Sequence, residues 1–332
     1  MMLPIIPRFY YCGKPDDGFG WGVCNGNLVR ALGEFVNVIV DDGMHGIRSL
    51  DYPCLMPYPD HTLKPSRPMR CPRLIGYGFP EWPIAPEAAD NAEAYHTVFA
   101  GSTWAANRLR AAGIDAEPLI QGVDSDLFSY QPWQDGEMFN VFSGGKFEYR
   151  KGQDIVLAAM GEFMARHSDV MLTIAWHNPW PETAESMVES KLIDHGDPAK
   201  HIPKDRMVVL PPLNNGAFPK IYAKTHVGLF PNRCEAGTNM VMTEYMACGR
   251  PVIATNAHGQ ADLDGPGMFP LEDLTQDHRG WFTASVPCVL AQLEMAYAIR
   301  NQLAGHGLMA RENATRYTWR ESAQRIVNAA FS

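Results

Sequence analysis

What this chain lacks narrows it first. No apolar run in its 332 residues approaches the about 20 needed to span a bilayer. The opening MMLPIIPRFYYCG is too short and too broken by proline for a signal peptide or a membrane span. The seven cysteines are odd in number, scattered, and form no C-x-x-C pair. That pattern predicts reduced thiols in a cytoplasmic protein and no cysteine metal site. Positive charge is scarce: 28 Lys and Arg stand against 37 Asp and Glu, for a formal net charge of −9. Generic binding to nucleic acid or to an anionic membrane is therefore not expected. At most a transient membrane association is. No short-period repeat, low-complexity tract or Ser-His-Asp set is visible.

What is present is enough chain for two ordinary domains, at 46% hydrophobic and 20% charged residues. Residues 4–11 read as a first strand, 18–22 (GFGWG) as a glycine-rich loop, 23–35 as a helix and 36–40 as a second strand. Gly20 lies in that loop, where the backbone could approach a sugar or a phosphate. Asp41, Asp42 and His45 follow the second strand, at the sheet end where α/β ligands bind.

Residues 52–73 are rich in proline and lack periodicity. Within them Lys64, Arg67, Arg70 and Arg73 recur every third residue, which a polyproline II segment would place along one face. Such a row suits an anionic acceptor or a solvated loop. Residues 74–83 predict a strand ending in a loop, where Glu81 and Trp82 sit between prolines. An indole that stacks on a sugar ring beside an acid that takes its hydroxyls would suit an acceptor. A helix over 86–95, a strand over 96–100, a helix over 103–112 capped by Ser102, and a strand over 116–121 complete the first half. Residues 129–138 read as a linker.

The second half restarts the alternation: strand 141–143, the loop GGKFEYRKG, helix 154–167, strand 170–175, a helical stretch over 182–195, strand 207–210, helix 218–223 and strand 227–230. Repeated units of this kind mean a parallel sheet covered on both faces, here built twice. Two loops carry the chemistry. Lys146 and Lys151 lie five apart around Gly144, Gly145 and Gly152, and suit a diphosphate. The stretch PNRCEAGTNMVMTEYMACGRPVIAT reads strand, loop, helix, strand. Gly237, Thr238 and Asn239 stand at the helix N-terminus, where backbone N–H groups and the helix dipole favour an anion. Glu235 and Glu244 flank that loop. The last segment, 313–330, reads as one amphipathic helix.

Several of these pieces, in this order, resemble glycosyltransferase family 4: SGGKFEYRKGQDIVLAAM, LFPNRCEAGTNMVMTEYMACGRPVIATNAHG, FAGSTWAANRLRAAGI, LIQGVDSDLF and YTWRESAQRIV. The resemblance implies the GT-B fold: two Rossmann-like domains facing a cleft, here 1–133 for the acceptor and 134–312 for the nucleotide sugar. A helix over 313–332 would cross back to the first domain. It implies transfer of a sugar from a nucleoside-diphosphate sugar to a hydroxyl acceptor with retention at the anomeric carbon. No metal ion and no cofactor are implied, and domain closure would assemble the site. The acceptor would be a glycan, a lipid-linked glycan or another hydroxyl compound.

By the same resemblance Lys146 takes the place usually held by an arginine, and Lys151 that of the lysine on the diphosphate. Glu244 matches the glutamate that binds the ribose, and Glu235 the one near the donor sugar. Gly20 and Gly145 would approach the donor. His45, Glu81, Trp82, Arg67 and Arg70 fall on the acceptor side. One departure stands out. The family usually places seven residues between its paired glutamates, and this chain places eight, Ala236 to Thr243. Competing readings are a GT-B sugar phosphorylase, a nucleotide-sugar epimerase, or a non-catalytic nucleotide-sugar-binding protein.

Overall fold

A computed structural model describes residues 6–16, 19–41, 49–134, 136–178 and 202–332. The chain forms two compact units. One comprises Met1–Asp124, Ala236–Thr238 and Tyr317–Ser332; the other comprises Ser125–Glu235 and Asn239–Arg316.

The first unit is built on a six-stranded parallel sheet in the order β2-β1-β3-β4-β5-β6. Its strands are β1 (Arg8–Cys12), β2 (Asn37–Asp41), β3 (Cys54–Pro57), β4 (Leu74–Gly78), β5 (Thr97–Ala100) and β6 (Ala116–Pro118). Helices α1 (Gly20–Leu32), α2 (Ala88–Ala92) and α3 (Thr103–Ala111) connect them. Ser102 caps α3 as expected, its side chain accepting the Ala105 N–H at 3.1 Å.

Three expectations are corrected here. Gly20 and Gly22 are not in a loop but in the first turn of α1. Strand β3 was not expected, because Pro53 precedes it and Pro57 is its last residue, which hides any alternation; it nonetheless sits third in the sheet, with Cys54, Leu55 and Met56 fully buried. The basic row does not share a face: Arg67 is ion-paired to Asp41 and donates to Cys12 Sγ at 3.5 Å, whereas Arg73 contacts His96 and the Ser332 carbonyl. Arg70 has its backbone bridged to Ser49.

The second unit repeats the plan with β7 (Phe139–Lys146), β8 (Val170–His177), β9 (Met207–Val209), β10 (Val227–Phe230), β11 (Val252–Thr255) and β12 (Met268–Leu271). The order is β12-β11-β10-β7-β8-β9, all parallel. Counted within the unit this is the Rossmann order 3-2-1-4-5-6 run in reverse. Helices α4 (Gln153–Arg166), α5 (Phe218–Tyr222), α6 (Met240–Ala247), α7 (Val286–Ala298) and α8 (Leu303–Thr315) belong to it. So does an antiparallel hairpin of β13 (Leu274–Gln276) and β14 (Phe282–Ala284). Its core joins Val141, Leu172, Leu229 and Ile253 of the sheet to Ile155, Met160 and Phe163 of α4 and Leu293 of α7. Arg250, fully buried, donates to the carbonyls of Tyr222, Ala223, Thr225, Gln131 and Pro132, and so ties α5 to the segment ahead of β7.

The expected terminal helix is two. The helix is interrupted at 316–318, where Thr318 and Glu321 form a capping box that starts α9 (Trp319–Phe331). Helix α9 packs in the first unit: Ser322 Oγ donates to the Ile120 carbonyl at 2.8 Å, Arg325 meets Glu117 at 2.7 Å, and Phe331 lies 6.5 Å from Phe9. The helical stretch expected over 182–195 lies outside the described residues, as does His45. Among the described residues no helix is long and apolar enough to cross a membrane.

Candidate functional site

In an open parallel sheet, neighbouring strands whose connections leave in opposite directions open a crevice at their carboxyl ends. In the second unit those strands are β7 and β10. The loop after β7 runs Phe147 to Gly152; the loop after β10 runs Pro231 to Asn239.

Backbone geometry brings the two loops together. Gly152 ends a 3-10 turn (Tyr149–Lys151) at φ 70°, and a Cβ there would lie 2.2 Å from the Pro231 carbonyl oxygen. Only glycine fits both demands. The Arg233 N–H donates to the Arg150 carbonyl at 2.7 Å. The Arg233 guanidinium forks onto both oxygens of Asp154 at 2.8 and 2.6 Å, donates to the Tyr149 carbonyl at 2.8 Å, and lies 3.9 Å over the Tyr149 ring. This buried brace holds the turn that presents Arg150 and Lys151.

The charged side chains form one chain of contacts. Lys146 meets Glu148 at 3.1 Å, and Arg150 meets Glu148 at 2.7 Å. Arg150 also meets Glu235 at 3.1 Å, and Lys151 is ion-paired to Glu235. Three cations face two carboxylates, so the group carries one net positive charge. Burial would push the Glu235 carboxyl up, but the Lys151 and Arg150 charges, with hydrogen bonds from Lys151 and Asn232, outweigh it and hold the pKa below the usual carboxylate value. Glu235 is thus an anion whose two oxygens face Lys151, Arg150 and Asn232. Lys151 crosses Gly145, whose φ of 124° requires glycine; the lysine stem lies 3.9 Å from where a Cβ would stand. Gln153 donates to the Lys146 carbonyl at 2.8 Å and fixes the end of β7.

On the other loop Asn239 has φ 63° and caps α6, its Oδ1 accepting the Met242 N–H at 3.5 Å. Glu244, on α6, accepts from Asn215 Nδ2 at 3.0 Å. His258 donates Nε2–H to the Asn232 carbonyl at 3.0 Å, and the next residue's N–H donates to the Glu235 carbonyl at 2.8 Å. The donor role of Nε2 follows from its carbonyl partner. Burial lowers the His258 pKa to about 4, so the ring is neutral near pH 7.

Lys146, Lys151, Gly145, Glu235, Asn239 and Glu244 therefore all lie in the second unit. Gly237 and Thr238 group with the first, where a Cβ on Gly237 would meet Gln121 Oε1 at 2.4 Å and the Phe79 ring at 3.1 Å. Gly20 is also in the first unit, and nothing stands within 4 Å of where its Cβ would be. There too Trp82 is half exposed, and the carbonyls of Pro80, Glu81 and Trp82 accept from Arg108 at 3.4, 3.5 and 3.0 Å. Sequence reasoning missed Arg150, Arg233, Asp154, Asn232 and His258. Arg150 stood next to Lys151 and could have been paired with Glu235; Asp154 and Arg233 are far apart in sequence and carried no signal.

Residues 139–277 match the family model described as Glycosyl transferases group 1, a stretch that includes both loops. A GDP-mannose-dependent alpha-(1-6)-phosphatidylinositol monomannoside mannosyltransferase of Mycolicibacterium smegmatis (strain ATCC 700084 / mc(2)155) is 28% identical over 172 residues. That alignment takes in 45% of this chain and 41% of the relative's own length. Sucrose-phosphate synthase (tll1590) from Thermosynechococcus elongatus superposes with a TM-score of 0.72 at 13% identity, over 97% of this chain and 98% of that one. Anabaena Alr3699/HepE in complex with UDP-glucose superposes at 0.69 with 12% identity, over 97% and 98%. The fold is GT-B, of two Rossmann-like parallel-sheet domains.

Proposed function

We propose that the protein is a glycosyltransferase that moves a sugar from a nucleoside-diphosphate sugar to an acceptor hydroxyl, with retention and without a metal ion. The group 1 glycosyl transferase match, the likeness to a mannosyltransferase and the shared fold support the transferase reading. One observation carries the donor site. The Lys151 ammonium, on a side chain only 11% exposed, sits at the crevice end of β7 with Glu235 as its one partner among the described residues. An ammonium has three N–H donors, so two remain for phosphate oxygens.

In this reading Lys151, Lys146 and Arg150 offset the charge that grows on the diphosphate as the sugar–phosphate bond breaks, electrostatic stabilisation of the kind that usually dominates. The α6 N-terminus and the amides of the Gly237-Thr238-Asn239 loop that leads into it add donors, with Gly145 as a site of close backbone approach. Glu244, aligned by Asn215, takes ribose hydroxyls. Glu235 is the fixed counter-ion that aims Lys151 and Arg150, rather than a ligand of the sugar. The leaving phosphate deprotonates the acceptor, a glycan or other hydroxyl compound, and Glu81 and Trp82 contact that acceptor.

The relatives named for GDP-mannose and UDP-glucose say where to begin. A thermal-shift screen of UDP- and GDP-sugars at millimolar concentration should raise Tm for at least one, since a ligand that binds only the folded state stabilises it. No shift with any nucleotide sugar would contradict the reading.

A further inference from the structure

Strands β13 and β14 have three residues each and form a sheet of their own. A hairpin of that size is marginal by itself, so its neighbours decide its shape. Asp277 folds the tip. Its Oδ1 accepts the Arg279 and Trp281 N–H groups at 2.8 and 3.1 Å, and its Oδ2 accepts Arg279 Nε–H at 2.7 Å. The tip sets the Arg279 guanidinium 4.2 Å over the Trp281 ring and 5.3 Å from the Tyr149 centroid. Buried Trp281 stacks on Tyr149, with the rings 6.5 Å apart at 30°.

The stem reaches the same place by another route. The Phe282 N–H donates to the Arg233 carbonyl at 2.8 Å, and Arg233 Nε–H donates to Thr283 Oγ1 at 3.2 Å. Arg233 in turn holds the Tyr149 carbonyl and covers its ring. Tip and stem thus converge on Tyr149, the first residue of the 3-10 turn whose other two residues are Arg150 and Lys151.

That turn is too short to set its own place. The Lys151 N–H donates to the Glu148 carbonyl at 2.9 Å and the Gly152 N–H to the Tyr149 carbonyl at 3.2 Å, in a geometry poorer than that of an α-helix. It also carries two adjacent positive charges, which repel each other.

We infer that the β13–β14 hairpin is a positioning element of the diphosphate site: Arg279 and Trp281, set by Asp277, act through Tyr149 to fix where Arg150 and Lys151 point. The inference rests on the proposed reading of those two cations as diphosphate ligands. Arg279 and Trp281 need no contact with the ligand themselves.

The test compares wild type with Arg279→Ala and Trp281→Phe. Hydrogen exchange of the Lys151 and Gly152 amides reads the order of the turn without any ligand. Calorimetry well below Tm, with a nucleoside diphosphate, the bare nucleoside and inorganic pyrophosphate, reads the site. Arg279→Ala should exchange these amides about tenfold faster and bind the diphosphate about tenfold more weakly, and Trp281→Phe should show about threefold of each. Nucleoside affinity should not change. A hairpin that only adds stability would lower Tm and leave exchange in the turn or diphosphate affinity as in wild type, which overturns the inference. So does a loss confined to Arg279→Ala, since that would be the loss of a charge. If wild type binds pyrophosphate but no nucleotide, the nucleotide reading fails, and a matching loss of pyrophosphate in both variants still upholds the hairpin's role. A wild-type protein that binds neither anion overturns both.

Discussion

The Lys151 ammonium is ion-paired to the Glu235 carboxylate, and the pairing joins the loop after β7 to the loop after β10 across 84 residues of sequence. Glu235 also takes Arg150 and Asn232, which makes it a counter-ion and alters what its substitution should do.

Glu235→Gln keeps the shape and removes one negative charge beside two cations. Nucleoside diphosphate affinity should rise by about tenfold, because the attraction to phosphate is no longer partly cancelled. Stability should fall by roughly 3 kcal/mol, as expected on breaking a buried ion pair. Calorimetry and urea unfolding read both effects. Were Glu235 instead a sugar ligand, diphosphate affinity would stay put and only the intact nucleotide sugar would bind more weakly.

Gly152→Ala should be among the costliest small substitutions in the chain. It meets a left-handed φ of 70° and the Pro231 carbonyl oxygen at once. The expected loss is about 3 kcal/mol or more, with the two loops forced apart. A loss under about 1 kcal/mol in urea unfolding would mean that the loops do not pack as described.

His258 predicts an acid-side instability. Its folded pKa of about 4 lies below the ordinary 6.5. Between those values the unfolded chain takes up a proton that the folded chain refuses. Stability contributed by the neutral ring is complete above about pH 6.5 and is lost as pH falls toward 4, by about 3 kcal/mol in all. His258→Asn suits the left-handed φ of 43° and should flatten that part of the profile. Parallel pH profiles for variant and wild type between pH 7 and 4 would rule this out.

How much of this was legible depended on the range of the forces involved. The α/β alternation and the start of α6 after the Gly237-Thr238-Asn239 loop follow from local apolar spacing and glycine placement, and both were read. The buried strand β3 was not, because Pro53 precedes it, Pro57 ends it, and only its neighbours in the sheet make this short stretch a strand. The break between α8 and α9 was readable in the Thr318–Glu321 capping box, but helical spacing on both sides masked it. In the site, the lysines and glutamates were visible as residue types, and their partners were not. Sequence spacing set Lys146 and Lys151 as a pair. The fold instead gives Lys146 to Glu148 and Lys151 to Glu235, with Arg150 between.

The central claim is that Lys151 receives the donor diphosphate, and Lys151→Ala tests it most directly. Arg150 still pairs with Glu235 in that variant, so the fold should persist by circular dichroism. Titrated with the nucleoside diphosphate that stabilises wild type, the variant should lose about 100-fold or more in affinity, and sugar transfer should fall to background. A folded Lys151→Ala protein that binds the diphosphate and turns over like wild type would contradict the account.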